Sequence, residues 1–381
     1  MSRIKEQKRM YAEERIEYTK EDVRFGTPEI VARYRAERLS TGLKGSLKDS
    51  GSKTHNDCLI EIGCSVGFQT FPFAEAFRHV IAVEIDKRKI EIAKRNAAVL
   101  GLNNIDFVLG DALDKDAIEQ IRDIITEKKL KVEAVFLDPE RAESEQERTL
   151  ETLKPNIIKF ISAYSKFTGN IAIELPPYIE RKKLKDLPMH ELEYISLNNN
   201  LNRLTAYFGD LKTADVSLVV LPQGRKIVKV NAEKEEEKGK KGEGERKVIQ
   251  LLTEISFEHK YFYEINPALL VADVLGEALL QSKVDATEVK AFEYNKKKYL
   301  LSNRLLDEEL FVRYDILNIT ETDEDSIKAF LVKARVGKVI LHGNIKQDEY
   351  FQLKDKFEKG LKGNKTLHIF LFDKCIICEK T

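Results

Sequence analysis

Leu59-Ile60-Glu61-Ile62-Gly63-Cys64-Ser65-Val66-Gly67 is a short apolar run that reaches an acidic residue and then a glycine-spaced turn. A second apolar run, Val80 to Val83, ends in Glu84. Two buried strands, each delivering a carboxylate near its C-terminal end, with a tight turn after the first, predict a doubly wound α/β sheet. Such sheets take adenosine-containing ligands at the crevice where the strand order reverses.

Outward from this stretch a strand–helix rhythm continues. Residues 69–78 read as a helix, and so do residues 87–100, with Ile90, Ala93, Ala97 and Leu100 on one stripe and Gly101 as the stop. Asp106–Leu109 is the third strand, followed by the turn Gly110-Asp111-Ala112 and a helix over 115–128. Glu133–Leu137 is the fourth strand and ends in Asp138-Pro139; a helix over 149–165 leads to a fifth, Ile171–Leu175. Glu193–Leu197 and Asp215–Leu221 are extended, and Leu204–Asp210 between them reads as strand or loop. Five parallel strands and a terminal antiparallel pair predict a seven-strand sheet. Upstream, Thr27 suits a helix N-cap, with Pro28 in the first turn and Glu29 favouring the dipole.

The charged, glycine-bearing stretch 232–246 cannot bury apolar surface and reads as a linker. The expected domains are a helical extension (1–56), the α/β domain (57–231), this linker and a smaller α/β domain (247–381), closed by an apolar strand from Leu367 to Cys378.

The chain has 381 residues, 34% of them charged, and a net charge of zero, so a nucleic-acid partner would need a segregated basic patch. Arg181-Lys182-Lys183-Leu184-Lys185 offers one, although such runs are usually solvated helix ends. Lys and Glu dominate the charge, which suits either a heat-adapted ion network or a well-solvated surface. Cys375 and Cys378 form a lone C-x-x-C in an apolar stretch, read as buried free thiols. The six histidines show no ligand spacing, so no metal is expected. No leader or membrane-length apolar run is seen, which predicts a cytoplasmic protein without a membrane partner.

Gly63 and Gly67 allow a tight turn and close approach of a ligand, and the following helix offers amides to an anionic group. Glu61 is placed for an ammonium or for the loop, Glu84 for a ribose diol, and Asp111 for an adenine amine. Gly-x-x-x-Gly is not the dinucleotide fingerprint Gly-x-Gly-x-x-Gly.

The spacing resembles the first motif of class I S-adenosylmethionine-dependent methyltransferases, and the order Glu61, Glu84, Asp111, Asp138 is similar to theirs. The resemblance implies S-adenosyl-L-methionine as cofactor, held by Thr27, Glu61, Gly63, Gly67, Glu84, Asp111 and Ala112 in a Rossmann-like domain. Asp138-Pro139-Glu140-Arg141 stands where methyltransferases of exocyclic amines carry Asp/Asn-Pro-Pro-aromatic, which makes these four the candidate catalytic residues. Here Glu140 and Arg141 replace the aromatic, and a planar Arg can stack on a base.

Thr27-Pro28-Glu29-Ile30-Val31-Ala32 resembles the segment that cap trimethylguanosine synthase relatives place over the cofactor. Val220-Leu221-Pro222-Gln223-Gly224, Tyr261–Ala268 and Phe370–Cys378 are similar to methyltransferases with a THUMP-like C-terminal domain. This implies an RNA substrate (tRNA, rRNA or another structured RNA) methylated at a guanine exocyclic amine. The cluster Tyr294-Asn295-Lys296-Lys297-Lys298-Tyr299 would stack on RNA or form an exposed hairpin. Rival readings are a protein or small-molecule acceptor, and a cofactor-binding RNA scaffold without chemistry. The oligomeric state is not legible.

Overall fold

The computed structural model describes residues 16–42, 56–140, 150, 152–229, 250–251, 258–295 and 297–381. Two compact units divide at Val228/Lys229. The expected linker 232–246, the first fifteen residues and residues 43–55 of the expected helical extension, Arg141 and Lys296 lie outside the described residues.

In the first unit the strands are β1 (Asn56–Ile62), β2 (Phe77–Glu84), β3 (Ile105–Leu109), β4 (Val132–Leu137), β5 (Ile171–Leu175), β6 (Glu191–Leu197), β7 (Asn200–Tyr207), β8 (Val216–Leu221) and β9 (Arg225–Val228). They form one sheet in the order β3-β2-β1-β4-β5-β7-β6-β8-β9. The first five are mutually parallel. Leu59, Ile60 and Ile62 are buried, as a strand covered on both faces requires. Sequence order reverses between β1 and β4, so the crevice of a doubly wound sheet opens at their C-terminal ends.

Nine strands among the described residues correct the expected seven. The terminal pair is also different. Asn198 and Asn199, both at positive φ, close a hairpin that sends β7 antiparallel between β5 and β6. β8, read as the partner of β6 in an antiparallel pair, runs parallel to it. β9 folds back on β8.

Two helix starts also move. Pro28 is itself the N-cap of Glu29–Thr41, with extended backbone and no side-chain cap bond, so Thr27 stands one position outside. The helix expected over 149–165 is Ile157–Tyr164. Pro155 would disrupt a helix interior, and Asn156 caps the observed one by accepting from Lys159 N at 3.1 Å.

The second unit contains β10 (Gln250–Leu251), β11 (Tyr261–Ile265), β12 (Val289–Tyr294), β13 (Lys297–Ser302), β14 (Phe311–Thr320), β15 (Val336–Gly343), β16 (Lys365–Leu371) and β17 (Cys375–Lys380). Their order is β10-β12-β13-β11-β14-β17-β16-β15. The supposed single terminal strand from Leu367 to Cys378 is the antiparallel pair β16/β17, turned at Asp373.

This sheet curls. Phe372, in the β16/β17 turn, lies 5.2 Å from Phe292 and 4.6 Å from Tyr294 of β12, ring centroid to ring centroid. Four strands separate β12 from β16 in the sheet order, so the contact closes across the concave side. Phe262, Tyr299, Tyr314 and Phe370 fill that interior. On the other face, helices Glu324–Lys333 and Gln347–Glu358 pack Ile327, Leu331 and Phe357 onto Val339, Leu367 and Ile369. All four cysteines are buried and free. Among the described residues no helix is long and apolar enough to cross a membrane.

Candidate functional site

Parallel register brings the strand ends to one edge. Ile62 stands opposite Val83 on one side and Leu137 on the other. Gly63 N donates to Val83 O at 2.9 Å, Gly110 N to Glu84 O at 3.0 Å, and Asp138 N to Ile62 O at 3.2 Å. Glu61, Gly63, Glu84, Asp111 and Asp138 are therefore set along adjacent strand termini by backbone pairing alone.

The turn after β1 needs glycine. Gly63 has φ +82°, and a Cβ there would stand 2.7 Å from the Asp138 carbonyl oxygen. Gly67 has φ +100°, and a Cβ would enter the Phe71 ring at 2.2 Å. Ser65 between them holds φ +49°, a strained conformation for a residue with a side chain.

Glu84 is buried and held by two backbone amides. Ser65 N donates to Oε2 at 2.8 Å and Asp86 N to Oε1 at 3.0 Å. Each oxygen keeps a lone pair, so the fixed carboxylate can receive both hydroxyls of a diol. Asp111 Oδ1 accepts from Leu113 N at 2.8 Å, which orients its other oxygen as an acceptor. The Ala112 carbonyl accepts from Tyr164 Oη at 2.9 Å, leaving its N–H as the group it can offer.

Glu61 is only 1% exposed, and its Oε2 has no hydrogen-bond partner among the described residues. Burial pushes this carboxyl up to about 8; the nearby Thr70 hydroxyl opposes the rise, Asp138 and Glu84 add to it, and Arg35 subtracts. A buried acceptor with nothing to accept is a place for a ligand cation or N–H donor.

Asp138 is half-buried at the end of β4 and Pro139 is buried behind it. Glu140 is exposed, and its backbone pairs with Lys154. Thr27 is buried beside Gly26, where a Cβ would stand 2.6 Å from the Phe68 ring; the N-terminal segment thus packs on the glycine loop.

A set of buried charges escaped the sequence reading. Arg35 is fully buried and pairs with Glu174 of β5. Its Nη1 donates to Gln69 Oε1 at 2.8 Å, and its guanidinium lies 4.7 Å from the Phe136 ring centroid. Arg203 Nε stands 2.6 Å from the other Glu174 oxygen, and its Nη2 donates to Gly26 O at 3.3 Å. Arg35 thereby fastens the helix Glu29–Thr41 both to the glycine loop and to the end of β5. The Asp138 charge acts on it as well. The only signal in the sequence is the carboxylate inside the apolar run Ile171-Ala172-Ile173-Glu174-Leu175, the same pattern as Glu61.

Residues 53–234 match the methyltransferase domain family. A tRNA/tmRNA (uracil-C(5))-methyltransferase from a Nitratiruptor species is 34% identical over 89 residues, covering 22% of this chain and 25% of that protein. A protein-L-isoaspartate O-methyltransferase of Dictyoglomus thermophilum is 43% identical over 56 residues, covering 15% of this chain and 26% of that protein. The chain thus spans about a quarter of the length of these curated relatives. Among solved structures, a Porphyromonas gingivalis W83 protein assigned as a methyltransferase superposes with a TM-score of 0.64 over 95% of this chain and 83% of that one, at 14% identity. At that identity the likeness concerns the fold.

Over 53–234 the chain is thus similar to S-adenosylmethionine-dependent methyltransferase domains, and the residues present fit that cofactor. The orphaned Glu61 oxygen suits its ammonium, the clamped Glu84 its ribose, Asp111 and the Ala112 amide its adenine edge, and the glycine turn the close approach of its carboxylate. Bound there, the cofactor supplies an electrophilic sulfonium methyl.

Proposed function

We propose that this methyltransferase domain modifies RNA, at a guanine exocyclic amine, with Asp138 as the group that receives the amine hydrogen. The observation that carries the reading is the placement of Asp138: its backbone is bonded to Ile62 and its carbonyl sits against Gly63, so the β4 end adjoins the glycine turn. An aromatic amine is a poor nucleophile and gains most from being held in line. An oriented acceptor withdraws its proton as the new bond forms. Pro139 fixes the turn. Arg35 and Glu174 are buried, and the Asp138 charge is felt by Arg35.

Ring-carbon methylation, named for the Nitratiruptor relative, fits this chain less well. A ring carbon must first be activated, and a thiolate is the ordinary nucleophile for that. Burial pushes the Cys58 and Cys375 thiols up to about 12, and holds Cys64 and Cys378 well above the ordinary thiol range. The likeness to the isoaspartate enzyme keeps a carboxylate or protein acceptor as the second reading. The second unit is proposed as the THUMP-like domain that the resemblance implies.

The test is transfer of labelled methyl from S-adenosylmethionine to cellular RNA, followed by nucleoside analysis. The reading expects label in an N-methylated guanosine, abolished in Asp138→Ala with cofactor affinity little changed. Label in protein alone, or in 5-methyluridine, would overturn the acceptor assignment.

A further inference from the structure

The open end of the curled sheet in the second unit holds a cavity of about 410 Å³. It is lined by Glu264 of β11, Tyr294, Lys297 and Tyr299 of the β12/β13 hairpin, and His342 and Asn344 at the end of β15. Mouths of curled and barrel sheets are favoured ligand sites, and this volume admits one nucleotide.

The lining is mixed: aromatic rings stand among polar groups, Glu264, Lys297, His342 and Asn344 included. His342 lies nearly parallel to Phe370, 4.2 Å away at 11°. Its Nε2 is 2.8 Å from His368 Nδ1. Burial, helped by Lys380 and Lys297, holds His342 down at about 4, so it is neutral at pH 7 and presents a flat uncharged ring. Glu264 is the carboxylate on the lining and is anchored to the sheet floor: Tyr314 Oη donates to its Oε2 at 2.9 Å, which leaves Oε1 and the second lone pair of Oε2 to accept. Lys297 is exposed at the rim.

We infer that this cavity is a nucleotide site that selects guanine, with Glu264 reading the base, Tyr294 and Tyr299 providing stacking surface, and Lys297 meeting the phosphate. Guanine is the base that offers two neighbouring N–H donors, N1–H and the exocyclic amine, to one carboxylate. Adenine offers one donor beside an acceptor nitrogen that a carboxylate repels. Ring faces and planar edges of this kind are how unpaired bases are held. The site lies wholly within the second unit and does not depend on the methyl-transfer reading.

The experiment is calorimetry on the full chain with GMP, AMP, oligouridylate and oligouridylate carrying one guanosine. GMP is expected to bind at least about tenfold more tightly than AMP, the size of one lost charge-assisted hydrogen bond. Glu264→Gln keeps an acceptor for Tyr314 and should remove that preference. Lys297→Ala should weaken GMP about tenfold or more without moving Tm, and Tyr294→Ala should weaken it likewise while lowering Tm, because Tyr294 packs on Phe372. Tighter binding of the guanosine-bearing oligomer than of GMP identifies a strand as the source, and the reverse identifies the free nucleotide. No heat from any guanosine ligand at millimolar concentration, or equal preference in wild type and Glu264→Gln, overturns the site. Titration of S-adenosylhomocysteine on the same samples keeps that failure distinct from a failure of the first unit.

Discussion

Glu61→Gln should make the ligand-free protein more stable at alkaline pH. In the unfolded chain this carboxyl titrates near its ordinary 4.5; in the fold burial holds it at about 8. Between those values the native state binds more protons than the unfolded state, so unfolding free energy falls as pH rises. At about 1.4 kcal/mol per pH unit, the rise from 4.5 to about 8 sets an upper bound of roughly 5 kcal/mol on the stability lost by pH 8. Relaxation of the pocket makes the real loss smaller, of order half that bound. Glutamine has no proton to lose and removes this component. The assay is urea unfolding at a series of pH values from 5 to 9 for both proteins. The wild type should weaken across this range and the variant should stay flatter by about 2 kcal/mol or more by pH 8. Parallel curves would refute the claim that Glu61 is buried, unpaired and protonated in the empty site.

Arg35→Met strands the Glu174 carboxylate. Removing one partner of a buried pair costs about 3–5 kcal/mol, and the low end is expected because Arg203 stays 2.6 Å from Glu174; urea unfolding measures it. Gly63→Ala places a methyl 2.7 Å from the Asp138 carbonyl at φ +82°. It should cost about 1–3 kcal/mol and lower methyl transfer more than that destabilisation explains, read as kcat at saturating cofactor. An unchanged kcat would detach the glycine turn from Asp138.

The sequence made the strand-end acids legible because their placement follows a simple rule: apolar strand, acidic end, turn. Backbone pairing then carries Glu61, Glu84 and Asp111 to one edge without help from tertiary detail. Arg35 was hidden by its surroundings. Charges fall on every side of the helix Glu29–Thr41, so no amphipathic stripe marks the buried face on which Arg35 and Arg38 lie. β9 was missed because Arg225-Lys226-Ile227-Val228 is too short and polar to read as a strand, although β8 gives it a partner. In the second unit the closing apolar stretch Leu367–Cys378 reads as one strand, because its apolar character continues through the turn that separates β16 from β17. The curl that brings Phe372 onto Tyr294 is a property of the whole sheet, and no local pattern encodes it.

The most direct test of the central claim is calorimetric titration of S-adenosylhomocysteine into wild type and Glu84→Ala. Wild type should bind one equivalent. The variant should lose about tenfold or more, because it removes the diol acceptor and frees the Ser65 and Asp86 amides that the carboxylate holds. A wild-type protein that gives no heat, or a variant that binds equally well, would contradict the assignment of this sheet edge as the cofactor site.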